Sequence, residues 1–183
     1  MNYKFTTDWT WKGKKWKFIK SNLPSDNINT RCLEIGAFEG RTTITLSKYF
    51  DYVDVVDPWK DYWDIPDASE AYERFKHNTQ ECNNIVVYRD ESKKILPLLN
   101  HYTYDLIYID GDHSVDAVYN DIKMSCNLLK EDGVIIIDDY KEKTLPEVRL
   151  GVIKWLEEDN NLHKIHFQSD NKQCCFKFKK DIY

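Results

Sequence analysis

No long apolar run occurs in these 183 residues. The longest, Val134-Ile135-Ile136-Ile137, ends in Asp138 and is too short to cross a bilayer. The opening Met1-Asn2-Tyr3-Lys4-Phe5-Thr6 is not an apolar stretch, so no secretory leader is expected. The cysteines, Cys32, Cys82, Cys126, Cys174 and Cys175, include no Cys-x-x-Cys pair. Reduced thiols in a cytoplasmic setting are therefore the expectation, with no zinc or redox role. Cys174 and Cys175 are adjacent in an apolar strand and should face opposite ways, which argues against a disulfide between them. Basic excess is missing too. With 26 Lys+Arg against 31 Asp+Glu the net charge is −5, which disfavours a general nucleic-acid partner. Repeats, low-complexity tracts and linkers are also absent.

What is present is an ordinary globular balance, 42% hydrophobic and 31% charged, which excludes disorder. The length fits one domain that buries about 70% of its unfolded surface. The first 20 residues differ in character. They hold Lys4, Lys12, Lys14, Lys15, Lys17 and Lys20 together with Trp9, Trp11 and Trp16. Such a segment reads either as a solvated helix face or as a contact for an anionic ligand or partner.

A helix is expected around residues 9–22. From residue 30, strands and helices alternate. Strands are expected at 31–35, 52–56, 85–88, 104–110 and 134–138, the last after a turn ended by Gly133. Helices are expected at 42–49, 68–82, 92–99, 115–129 and 145–158. Segments 162–168 and 173–179 read as a hairpin closed by Ser169-Asp170-Asn171-Lys172. This pattern predicts an α/β fold, a Rossmann-like doubly wound, mostly parallel seven-stranded sheet with a C-terminal antiparallel hairpin.

The first expected strand runs into Glu34-Ile35-Gly36-Ala37-Phe38-Glu39-Gly40-Arg41-Thr42-Thr43 and so into a helix. Glycines there permit a sharp turn and close approach of a ligand. The spacing is Gly-x-x-x-Gly, not the Gly-x-Gly-x-x-Gly of nicotinamide dinucleotide sites. Glu34 suits a cationic or amino-acid ligand better than a pyrophosphate. A bare turn is the other reading. Asp57 closes the second strand, where an acid accepts hydrogen bonds from ribose hydroxyls, so loop and acid together point to a nucleoside cofactor. Asp90 or Ser92, after the third strand, could reach an adenine amino edge or cap the next helix. Trp59 could stack on the adenine or pack in the core.

The fourth strand ends Asp110-Gly111-Asp112-His113 and the fifth Asp138-Asp139-Tyr140. A parallel sheet brings Asp110, Asp138 and Asp139 to one edge, where clustered carboxylates are favoured around a cation. Oxygen ligands suit Mg²⁺. His113 could remove a proton near neutral pH. The competing reading has Asp112 and Asp139 capping helices and His113 solvated.

These segments resemble class I S-adenosylmethionine-dependent methyltransferases. The similarity is greatest to the metal-dependent O-methyltransferase group that includes macrolide-sugar O-methyltransferases and the cephalosporin-biosynthesis methyltransferase component. It rests on Phe5-Thr6-Thr7-Asp8-Trp9, Leu33 through Thr42, Val56-Asp57-Pro58-Trp59, Ile109 through Ser114, and Leu128 through Val134 running into Asp138-Asp139-Tyr140. The resemblance implies that Glu34, Gly36, Ala37, Phe38, Gly40 and Thr42 hold the methionine part of S-adenosylmethionine. Asp57, with Pro58 and Trp59, would hold the ribose side. Asp90, Glu91, Ser92 and Asp110 complete the implied cofactor set. Asp110, Asp138 and Asp139 would bind Mg²⁺ or a similar divalent cation, with His113 as general base and Asp110 beside it in catalysis.

Catechol-type relatives carry a lysine where this chain has His113, which favours a sugar or glycan hydroxyl as acceptor. A phenolic acceptor and a catalytically silent cofactor-binding subunit are the alternatives. Two departures stand out. Arg89 replaces the usual glycine of the third motif, which puts the adenine contacts in question. Asp138 stands where relatives often have Glu, a conservative change. Residues 1–29 would form an aromatic and basic helical segment covering the site, and residues 30–183 the cofactor-binding domain. The implied partners are a small-molecule or glycan acceptor and copies of the same chain, with no membrane.

Overall fold

Five runs of apolar and β-branched residues form the parallel part of one sheet. They are β1 (Arg31–Ile35), β2 (Tyr52–Val56), β3 (Ile85–Tyr88), β4 (Tyr104–Ile109) and β5 (Leu129–Ile137). Two further strands, β6 (Ile165–Ser169) and β7 (Cys174–Phe178), form an antiparallel hairpin. The helices are α1 (Lys14–Asn22), α2 (Arg41–Leu46), α3 (Ala68–Thr79), α4 (Ser92–Ile95), α5 (Val115–Cys126), α6 (Pro146–Glu157) and α7 (Asn161–Lys164). The computed structural model describes residues 2–6, 14–23, 30–60, 67–99, 103–158, 161–170 and 172–179.

The strand order is β3-β2-β1-β4-β5-β7-β6, with β7 antiparallel to β5. The predicted fold class is therefore observed. The strand order reverses its progression between the parallel neighbours β1 and β4, the switch point where ligands of open α/β sheets lie. Strand alternation sorts the core into two layers. Leu33, Ile107, Ile109, Ile135 and Ile137 pack against Val118 and Ile122 of α5 and Val148, Val152 and Trp155 of α6. On the other face Cys32, Val53, Val55, Leu106 and Ile136 pack with Ile19 of α1, Leu46 of α2 and Ala71 and Phe75 of α3. Cys174 and Cys175 fall in opposite layers, as alternation requires, and all five cysteines are free thiols. No helix among the described residues is long and apolar enough to cross a membrane.

Several boundaries differ from expectation. Helix α2 ends at Leu46, and the predicted 92–99 helix tightens into a 3-10 turn at Leu96–Leu99, around Pro97. Helix α5 stops at Cys126 and β5 starts at Leu129, so Gly133 lies inside a strand rather than in a turn. A register irregularity between Tyr104 and Leu106 marks the place. A Cβ on Gly133 would lie 2.8 Å from the Tyr104 carbonyl oxygen, so glycine lets the irregular strand close on β4. The segment expected to begin a strand at 162 first makes the short helix α7. Of the helix expected at 9–22, residues 9–13 lie outside the described residues.

Candidate active site

The glycine turn is shaped by its neighbours. Gly36 has φ of 86° and its N–H donates to the Val56 carbonyl at 2.9 Å. Gly40, at φ 80°, precedes the first turn of α2, where Thr42 is buried. Between them Phe38 takes φ of 48°, an unusual value for a non-glycine residue. The Asp57 carboxylate holds this turn in place. Oδ2 accepts the N–H groups of Ala37 (2.8 Å) and Phe38 (2.9 Å), and Oδ1 accepts that of Trp59 (2.7 Å). Burial pushes the Asp57 pKa up, against these three bonds, which favour the carboxylate. Asp57 is thus first a clamp on the loop.

Trp59 is core, not an adenine shelf. It is buried, packs on Tyr72 and Phe75, and donates its indole N–H to the Phe38 carbonyl at 2.7 Å. Pro58 links it to Asp57. The glycine loop therefore rests on an aromatic floor.

Glu34 is fully buried beneath the loop. Oε2 accepts the Thr43 hydroxyl at 2.5 Å, while Oε1 has no hydrogen-bond partner among the described residues. Burial pushes its pKa up to about 8; the Thr43 bond opposes this, and the charges of Asp110 and Asp57 add to it. An unpaired buried acceptor costs about 1–3 kcal/mol, so this position suits a donor brought by a ligand.

The third strand end departs from expectation. Asp90 pairs with Lys94 and accepts the Glu91 N–H, and Glu91 pairs with Lys60 and Lys93. Both acids face surface lysines rather than a base pocket. Arg89 lies over the Tyr72 ring, 4.3 Å from its centroid. Only Ser92 turns inward, donating to Asp121 Oδ1 at 2.5 Å. Asp121 is a buried acid that the sequence reading did not single out. Burial pushes its pKa up to about 7. Its signal was available: Val118, Asp121, Ile122 and Ser125 form the buried stripe of α5, and an acid is out of place there.

At the sheet edge the parallel ladder runs on past the strands. The Asp110 N–H donates to Ile35 and that of Asp138 to Ile109. Asp110, His113 and Asp139 come together, their ligating atoms all within 4.8 Å of one another. His113 Nε2 is 3.6 Å from Asp110 Oδ1 and 4.0 Å from Asp139 Oδ2. Asp112 accepts the Ser114 N–H ahead of α5, a turn role.

Asp138 does not join this group. It keeps the facing of Ile136 and points into the sheet layer, where Tyr108 Oη donates to its Oδ2 at 2.6 Å. Its Oδ1 accepts the Asp139 N–H at 2.8 Å, and Gln173 Nε2 donates to Tyr108 Oη at 3.0 Å. Asp139 then adopts φ of 54°, and this left-handed step puts its carboxylate with Asp110. Two carboxylates and an imidazole form a donor set that a divalent cation can use; the expected Asp110, Asp138, Asp139 set is not assembled.

A methyltransferase-domain family model matches residues 33–140, which contain the glycine loop and both acidic strand ends. The chain belongs to this methyltransferase family. No curated protein matches the sequence. Among solved structures, the Bacillus cereus O-methyltransferase in complex with SAH is 14% identical, covering 94% of this chain and 94% of that one, with a TM-score of 0.62. CalS11, a TDP-rhamnose 3'-O-methyltransferase of calicheamicin biosynthesis, is 12% identical over 91% of this chain and 78% of its own, with a TM-score of 0.65. The tomaymycin-synthesis O-methyltransferase TomG from Streptomyces achromogenes is 15% identical over 82% and 73%, with a TM-score of 0.62. The expectation of a class I S-adenosylmethionine-dependent methyltransferase is upheld.

In this methyltransferase Trp16 packs against Tyr49, beyond the end of α2 that leads away from the glycine loop. Trp9 and Trp11 lie outside the described residues. Residues 4–6, by contrast, run directly beside the loop.

Proposed function

We propose that this methyltransferase transfers the methyl group of S-adenosylmethionine to a hydroxyl of a sugar or glycan, assisted by a divalent cation such as Mg²⁺. One observation carries the reading: Asp110, His113 and Asp139 are grouped at the strand edge next to the glycine loop. The similarity in fold to a TDP-rhamnose 3'-O-methyltransferase supports it, as does a histidine rather than a lysine at 113.

In this reading Glu34 meets the cationic amino group of the cofactor, and the loop 36–40 holds its methionine part. Asp57 offers its carboxylate to the ribose while clamping the loop. Asp110 and Asp139 would hold the cation, and His113 would act as the base rather than as a ligand. When bound, the cation would lower the pKa of an acceptor hydroxyl. His113 Nε2 would take the hydroxyl proton, and bound S-adenosylmethionine would supply the methyl group to the acceptor oxygen, its sulfonium leaving as the neutral thioether. The sulfonium charge is neutralised, so positioning and local electrostatics supply most of the acceleration.

The test is methyl transfer from S-adenosylmethionine to a panel of nucleotide sugars, glycosides and catechols, read by mass spectrometry. A methylated sugar is expected. Transfer to catechols alone overturns the sugar assignment, and no transfer with no cofactor binding overturns the enzyme assignment. His113→Ala should cut turnover by about 10²-fold or more with cofactor affinity nearly unchanged.

A further inference from the structure

Glu39 sits inside the glycine turn, yet its side chain is 2% exposed and is turned to Thr6 and to α3. Its carboxylate takes three donors. The Thr6 N–H reaches Oε2 at 2.9 Å, the Thr6 hydroxyl reaches Oε1 at 2.5 Å, and Arg74 Nε reaches Oε1 at 2.6 Å. The Glu39 carbonyl accepts Asn78 Nδ2 at 2.9 Å. Asn78 also brackets the Lys4 backbone, accepting its N–H at 2.7 Å and donating to its carbonyl at 3.2 Å. The Phe5 ring lies under the Arg41 guanidinium, 3.9 Å away, at the first residue of α2. Residues 4–6 thus touch the loop, the helix it opens and the helix behind it.

This loop has positive φ at Gly36, Phe38 and Gly40, and so needs its surroundings to hold it. A buried carboxylate also needs full pairing, and Arg74 supplies only part of it. The Thr6 donors complete the set. The strap of residues 2–6 and a cofactor held by residues 36–40 would then favour one loop conformation in common. Two ligands that favour the same conformation raise each other's affinity by the same factor.

We propose that Glu39 is a positioning residue that couples docking of residues 2–6 to occupancy of the cofactor loop. The inference rests on the methyltransferase reading of that loop. Asn78 and Arg74 serve as its anchor on α3, and Thr6 is its latch.

The test uses the full chain with Thr6→Val, which removes the hydroxyl at an exposed position, and Thr6→Ser, which keeps it. S-adenosylhomocysteine affinity is measured by calorimetry, and amide exchange at Lys4 and Thr6 with and without that ligand. In the parent protein the ligand should slow exchange at both amides. Thr6→Val should weaken ligand binding about three- to tenfold and speed exchange at Lys4, and Thr6→Ser should restore both. Thr6→Val binding as tightly as the parent, or exchange indifferent to the ligand, overturns the latch alone. A parent protein that binds no S-adenosylhomocysteine overturns the latch and the methyltransferase reading together.

Discussion

Gly36 lies so close to Asp110 that a Cβ placed on it would stand 2.1 Å from the Asp110 carbonyl oxygen. The glycine loop and the acidic strand end are therefore in backbone contact, and the two halves of the candidate site are fixed relative to each other. Gly36→Ala meets both that contact and a φ of 86°. The expected loss is about 3 kcal/mol of stability, from overpacking and strain together. Thermal unfolding with and without S-adenosylhomocysteine checks it; an unchanged melting temperature would show that the loop is not built this way.

Glu34 carries a proton prediction. With a pKa pushed up to about 8, it holds its proton at pH 7 in the free protein. A cationic amino group placed beside Oε1 favours the carboxylate, so ligand binding at pH 7 should release close to one proton. Affinity should rise with pH toward about 8 and fall once the ligand's own amino group loses its proton. Calorimetry in two buffers of different protonation enthalpy measures the release, and Glu34→Gln should abolish it.

Asp138 and Asp139 should behave differently on substitution. Mn²⁺ binding, followed by electron paramagnetic resonance, should weaken at least about tenfold in Asp139→Asn and little in Asp138→Asn. Asp138→Asn should instead lower stability by about 1–3 kcal/mol, because one amide oxygen replaces two acceptors for Tyr108 and the Asp139 N–H. Equal losses of metal affinity would return Asp138 to the ligand set.

Asp121 links burial to pH. Its pKa is raised from 3.8 to about 7, so the folded state keeps a proton that the unfolded chain loses above pH 4. Its contribution is full below the unfolded value and is lost as pH rises to about 7. Asp121→Asn removes this dependence. The melting temperature of the variant relative to the parent should climb from pH 4 to 7 and flatten above. A constant difference would mean that Asp121 ionises normally.

Periodicity was sufficient for the strands that build the site. Val134 to Ile137 and Tyr104 to Ile109 carry enough branched apolar residues to admit no other element, and the turn chemistry between Ser169 and Lys172 made the hairpin legible. Spacing alone placed Asp110, Asp139 and the glycine loop on one edge, because parallel strands must end on the same side. The helix end at Cys126 was less legible. Gly133 looks like turn punctuation in one dimension, and only the approach of Tyr104 makes it a strand irregularity.

Facing and partnership lay beyond what the linear chain can express. Asp138 and Asp139 are chemically identical neighbours, and their roles separate because one lies under Tyr108 and the other takes a left-handed step. Asp90 and Asp121 divide in the same way, one claimed by Lys94 and the other by Ser92. Residue order constrains strand direction and edge through chain connectivity. Which carboxylate is desolvated, clamped or left for a ligand depends on groups distant in sequence, and folding alone brings those groups within hydrogen-bond reach.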